Sequence, residues 1–268
     1  MSLRTPPMSV FYLIDLALYP QLSQQLFAID ESPVYERLYL QTAYARYAQQ
    51  GPILFSPSNG SAHVAAARWV QQGAAIALHT RATLSEVAKH YRQLTHVERQ
   101  TGPPALFRYA DSRIYVGLVS GLTEGETHAL LGPINVMNGV ANGEAWQLES
   151  PAPDDEPPGK FKLTADHEQA FQRKREQTFC QQLASDHGVA LSQAQQWLQQ
   201  MKALPLTTEY ARWEGCQILA ASDYPEPLSS RHMQQLSSYG GSWQALLGEL
   251  KMLTSEQAPL VDTDGDDR

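Results

Sequence analysis

The segment Ser150 to Lys160, SPAPDDEPPGK, constrains this chain more than any other, because four prolines and three acids within it leave no prospect of regular structure. It separates two stretches whose apolar residues recur with different periods. The expected organisation is therefore an α/β lobe over residues 10–149, an acidic proline-rich linker over 150–160, and an all-helical lobe over 161–253. A flexible start, 1–9, and a disordered acidic tail, 254–268, complete it. With 268 residues and 43% hydrophobic content, the chain is long enough for two modest cores.

Before the linker, short apolar runs alternate with helical periods. Strands are predicted near Val10 to Asp15, Val34 to Leu40, Pro52 to Phe55, Ala75 to Thr80, Ala105 to Tyr109 and Ile134 to Met137, with an edge strand at Ala145 to Leu148. Helices fit between most of them. The clearest runs from Leu84 to about Val97, where Leu84, Val87, Ala88, Tyr91 and Leu94 form one stripe behind a capping box of Thr83 and Glu86. Thr123 and Glu126 repeat the device. The alternation predicts a mixed or parallel sheet with flanking helices, its strand order unspecified.

After the linker only helical periods remain. Phe171, Phe179 and Leu183 share one helix face; Ala194, Trp197, Leu198 and Met201 stripe a second helix, with Ser192 and Gln195 as its capping box. Tyr210, Trp213, Cys216 and Ala220 mark a third. Met233 and Leu236, then Trp243, Leu247 and Leu250, mark two more on either side of Gly240-Gly241.

Charge narrows the partners. Of the net −8, most sits in Glu149 to Lys160 and Thr254 to Arg268; the remainder holds 19 acids and 18 bases. Nearly neutral bodies without a basic stripe exclude a phosphate-backbone binder, so nucleic acid is not an expected partner. The run Val10 to Leu18 is too short to span a bilayer and contains Asp15, which predicts no membrane insertion and a cytoplasmic protein. Cys180 and Cys216 fit reduced thiols in packed helices rather than a disulfide framework. His90 and His96, six apart, face different sides of a helix, and neither a metal site nor a cofactor is expected. Metalloprotease, nucleophile-elbow, Walker and dinucleotide motifs are all missing from the sequence.

The charged constellation with a pattern lies in Pro104 to Ile134. Leu106 and Arg108 point to one side of the predicted strand and Phe107 and Tyr109 to the other, after which Asp111 stands where a helix N-cap is needed. Arg108, Asp111 and Arg113 are thus expected to meet, a guanidinium gripping the capping carboxylate. Such a cluster holds a fold together if buried, since breaking it costs roughly 3 to 5 kcal/mol. If one arginine stays free, it can also meet a carboxylate on a partner.

The Arg-aromatic-x-Asp-x-Arg core at Arg108 to Arg113 resembles that of the Tap/Tec family of type VI secretion adaptor chaperones. The likeness extends to Phe11 to Asp15 as opening strand, Ala75 to Thr80 as middle strand and Leu130 to Ile134 as closing turn, about 125 residues in all. It is weaker beyond the linker, where Leu163-Thr164 and Gln169 are similar to the start of the family's helical lobe. The resemblance implies a carrier and not an enzyme: a protein that binds a type VI effector by its N-terminal region and loads it onto the VgrG spike protein. A carrier needs docking side chains, and Tyr109, Trp197, Tyr210, Trp213 and Trp243 are the large amphipathic candidates. Two alternatives stand beside it. One is a hydrolase-like enzyme of unfamiliar type using the loop Ser56 to Ser61 as anion site and nucleophile; the other is an immunity-type binding module.

Overall fold

A computed structural model describes residues 8–151, 159–222 and 227–255. Residues 1–7 of the predicted flexible start, the centre of the proline-rich linker and nearly all of the acidic tail lie outside the described residues, while Ser9, expected in that start, is already in a strand paired with Thr80. The chain divides into two compact units, Met1–Arg173 and Lys174–Arg268.

In the N-terminal unit the strands β1 (Ser9–Asp15), β2 (Val34–Arg37), β3 (Pro52–Ser56), β4 (Ile76–Thr80), β7 (Val136–Ala141) and β8 (Glu144–Glu149) form one sheet in the order β2-β3-β1-β4-β7-β8. Every neighbouring pair in it is antiparallel. A small second sheet, β6-β5-β9, joins β5 (His96–Arg99) to β6 (Ala105–Leu106) antiparallel and to β9 (Lys162–Leu163) parallel. The expected layering of sheet and helices is present, while mixed strand direction is confined to this small sheet.

Period-two alternation sends the residues of β1 to two separate cores. Leu13, opposite Leu54 on β3 and Ile76 on β4, packs with α3 (Leu84–Leu94), α4 (Ser112–Leu118) and α5 (Glu124–Leu131). Tyr12, opposite Phe55 and Ala77, packs on the other face with α1 (Leu22–Ile29) and α2 (Gly60–Gln71). Both faces are covered, so the central strands read as uninterrupted apolar runs. Between β7 and β8, Asn142 and Gly143 both take positive φ, 53° and 78°, the pair of left-handed residues that a tight hairpin turn requires.

Both capping boxes of this unit form: Thr83 with Glu86 starts α3 and Thr123 with Glu126 starts α5. The third does not. α7 (Leu191–Ala203) begins one residue before Ser192, and its N-cap, Ala190, offers no side-chain acceptor.

In the C-terminal unit α7, α8 (Glu209–Ala221), α9 (Ser230–Ser237) and α10 (Trp243–Ser255) share a core with the later turns of α6 (Ala165–His187), within which the division between units falls. The stripe Ala194, Trp197, Leu198, Met201 is buried as expected. On α8 the buried face is instead Ala211, Gly215, Cys216, Leu219 and Ala220, because Met201 packs into the space left by the absent side chain at Gly215. That close approach turns Tyr210 outward. Burial pushes the thiol of Cys216 well above its ordinary value, which keeps it protonated and unreactive.

Candidate functional site

The loop that carries the predicted site is fastened from behind by a buried hydrogen-bond chain. Tyr115 on α4 donates from its hydroxyl to the Tyr109 carbonyl at 2.7 Å, the hydroxyls of Tyr109 and Thr95 meet at 3.2 Å, and Thr95 Oγ1 donates to the Tyr91 carbonyl at 3.1 Å. Burial raises the pKa of all three tyrosines, so each stays a neutral phenol. The start of α4 is tied to the sheet as well. Trp146 Nε1 donates to Ser112 Oγ at 2.8 Å, Ser112 Oγ donates to the Val140 carbonyl at 2.8 Å, and the Trp146 ring stacks on Tyr115 with centroids 4.5 Å apart.

On this support the charged residues pair differently from the sequence expectation. Asp111 does cap α4, accepting from the Arg113 N–H at 3.1 Å, and Arg113 grips it with Nε at 2.8 Å and Nη2 at 2.7 Å. This pairing raises the Arg113 pKa still further. The Arg108 side chain, however, does not bond the Asp111 carboxylate. Its Nη2 donates to Asp15 Oδ2 at 2.8 Å, at the end of β1 and 93 residues away in sequence. The reason is geometric. β6 ends at Leu106, the chain turns with the Asp111 N–H donating to the Arg108 carbonyl, and the Arg108 side chain points back over the strand end. Asp15 is also held by the Ala17 N–H at 2.9 Å. The expected opposite facing is present, with Phe107 and Tyr109 buried and Leu106 exposed.

Of the five aromatic candidates, Tyr109 and Trp197 are buried core residues, so neither offers a docking surface as the chain is folded. Trp213 is half-buried, its ring stacked on Phe179 at 4.8 Å and nearly parallel. Tyr210 is 66% exposed and meets Trp243 edge-on at 6.1 Å, so these two alone of the five form an accessible aromatic pair.

In the loop Ser56 to Ser61, Ser58 and Asn59 bond within the fold. Ser58 gives its N–H to Asp30 Oδ2 at 3.0 Å and its hydroxyl to Oδ1 at 2.7 Å, while Asn59 Oδ1 caps α2 by accepting from the Ala62 N–H at 2.8 Å. His63 makes a ring contact with Tyr12, and His79 pairs with Asn138 at 3.2 Å. The Ser58 hydroxyl first, then its N–H, hold the Asp30 carboxyl below the usual range. A depressed carboxyl pKa contributes stability above the unfolded value near about 4 and loses it as pH falls through the folded value. Ser58→Ala is therefore expected to lower the melting temperature at neutral pH and to flatten its fall below about pH 4. An acid limb as steep as in the unaltered chain would contradict this.

A cavity of about 480 Å³ opens beside α3 and β5, lined by His90, His96, Glu98, Lys160 and Phe161 among others. Two of its polar groups have structural partners: His90 Nε2 bonds the Leu130 carbonyl at 2.9 Å, and Glu98 pairs with Lys162 at 2.7 Å. Among the described residues no group of three His, Cys, Asp or Glu is placed to hold a metal ion, and no helix is long and apolar enough to cross a membrane.

The segment that joins β1 to α5 and carries Asp15, Arg108, Asp111 and Arg113 is also the one that other proteins share. Residues 10–129 match the family model described as a domain of unknown function, DUF4123. The matched segment thus contains both ion pairs, both capping boxes and the buried tyrosine chain, and stops short of the hairpin β7-β8. No curated protein and no solved structure matches the chain.

Sequence reasoning singled out three of the four charged residues. Asp15 was the omission, although a carboxylate closing an otherwise apolar buried strand signals a required cation, since such a group is seldom buried unpaired.

Proposed function

We propose that this protein is a cytoplasmic adaptor chaperone of type VI secretion, which binds the N-terminal region of a cognate effector and loads that effector onto the VgrG spike protein without catalysing a reaction. One observation carries the reading: the DUF4123 match covers the same segment whose Arg108 to Arg113 core resembles the Tap/Tec adaptors. The surfaces are of a kind such a carrier uses. The N-terminal unit presents two half-exposed arginines, Arg108 and Arg113, each paired with a buried aspartate, and the C-terminal unit presents Tyr210 against Trp243. Aromatic anchors with a polar tip are the side chains that dominate protein interfaces.

Stoichiometric hand-over needs no chemistry. Transfer proceeds when the effector–spike complex is more stable than the carrier-bound one, so the carrier acts by differential affinity. The full-length chain is expected to co-elute in size-exclusion chromatography with an effector encoded beside it, and Tyr210→Ala with Trp243→Ala to weaken that complex without altering the melting temperature by more than a few degrees. Absence of co-elution across a range of salt concentrations would sink the proposal.

A further inference from the structure

The first turn of α6 is closed by a capping box in which a histidine stands where the boxes of α3 and α5 have a glutamate. Thr164 Oγ1 accepts from the His167 N–H at 3.3 Å, and His167 Nδ1 accepts from the Thr164 N–H at 3.3 Å. The Glu168 N–H completes the turn by donating to the Thr164 carbonyl at 3.2 Å. His167 is also the one buried histidine among the described residues, with 4% of its side chain exposed.

The cap fixes where the ring carries its hydrogen. Nδ1 receives a backbone N–H, so it holds the lone pair, and the neutral ring carries its proton on Nε2. Nε2 lies 3.7 Å from Glu126 Oε1 on α5. Oε2 of the same carboxylate accepts the Thr123 N–H at 2.9 Å and the Thr123 hydroxyl at 2.8 Å, so Glu126 is anchored by its own box. Burial pushes the Glu126 carboxyl up, but the two Thr123 bonds outweigh it and hold the group below its usual range. Glu126 is the charged group that faces the ring from a neighbouring helix. On α6 itself Glu168 is paired with Arg99 and Asp166 is exposed, while Phe161, from the segment before α6, lays its ring against the imidazole with centroids 6.0 Å apart.

We propose that His167 is a pH-operated switch at the start of α6: the neutral ring caps its own helix through Thr164, and the protonated ring releases Thr164 and is held by α5 through Glu126. A proton on Nδ1 turns the acceptor into a donor, which then meets the Thr164 N–H with no lone pair between them. The new charge stands in the first turn of a helix, where the dipole disfavours a cation, while the Glu126 carboxylate favours it. Both effects move the ring from one helix to the other. A glutamate at the same position cannot switch in this way, because a carboxylate still accepts at every pH at which a histidine titrates. The switch acts on the helix within which the division between the two units falls.

The experiment follows the His167 ring nitrogens and the Thr164 amide of the full-length chain by NMR, from about pH 8 to about pH 5, the span across which histidine titrates. At the upper end the ring should show its hydrogen on Nε2. On acidification the ring should become doubly protonated and the Thr164 amide resonance should move with the same midpoint. Hydrogen exchange at Thr164 should then be about fivefold faster than in His167→Gln at the same pH, since a cap is lost only in the parent. Gln in that place still accepts from the Thr164 N–H but does not titrate, so in His167→Gln that amide should stay put while the melting curve shows the fold intact. Glu126→Gln keeps the α5 box and removes the charge, which should lower the midpoint. A hydrogen on Nδ1 at the upper end, a ring that stays neutral throughout, a Thr164 amide indifferent to the ring, or an unmoved midpoint in Glu126→Gln would overturn the switch. None of these readouts involves an effector, so the switch and the adaptor role can fail separately.

Discussion

Trp197→Ala is expected to cost the C-terminal unit about 3–5 kcal/mol, enough to unfold a domain of ordinary stability near body temperature. Trp197 is 1% exposed and sits in the middle of the α7 stripe, in the one core that α7, α8 and α10 share. Removing the indole leaves a cavity that helices held by Leu198, Met201 and Leu247 cannot fill by sliding. Trp197→Phe should cost much less than Ala. Its Nε1 has no hydrogen-bond partner among the described residues, and a buried unsatisfied N–H costs about 1–3 kcal/mol that phenylalanine does not incur. Urea titrations followed by helical circular dichroism measure both; an Ala variant within about 1 kcal/mol of the parent would show that the site collapses around the hole.

Gly132→Ala should be nearly as damaging, for a different reason. Gly132 ends α5 with φ 54° and ψ −115°, a conformation that side chains avoid, and a Cβ there would overlap the His90 ring. Backbone strain of about 1–3 kcal/mol adds to overpacking of about 1–3 kcal/mol. His90 has little room to yield, being held by its bond to the Leu130 carbonyl and buried enough that its pKa is lowered. The companion variant separates the two costs. His90→Ala with Gly132→Ala should recover the overlap and not the strain, so the double variant should be more stable than the sum of the single losses predicts. Simple additivity would mean that the ring moves aside freely.

Local signals in this sequence were reliable where the physics is local. The Thr83 and Thr123 capping boxes form because each needs only a side chain and an N–H three residues apart. Ser192 had the same residue types and failed: α7 starts one residue earlier, and a cap works only at the helix boundary. Likewise the α7 stripe is the buried one, while on α8 the expected stripe lost Tyr210 to solvent because the close fit of Met201 over Gly215 sets how that helix is rotated.

Strand direction was not legible, and the reason is specific. An antiparallel sheet usually shows alternation because one face is wet, whereas here helices cover both faces and Phe11 to Asp15 is buried without a break. A continuous apolar run is the usual mark of a parallel strand, so the sequence pointed to parallel or mixed pairing. Asn142-Gly143 was the available contrary sign, a two-residue hairpin signal between Val136–Ala141 and Glu144–Glu149.

The sequence by itself determined the two kinds of architecture and the helix starts that cap themselves, because each follows from periodicity or from neighbours a few residues apart. Only the tertiary structure decided that Arg108 belongs to Asp15. The partners lie 93 positions apart, and nothing but the stacking of β1 against the loop after β6 brings them to 2.8 Å. Spacing along a chain constrains contacts within a turn or two; beyond that, which charges meet is set by how the elements pack.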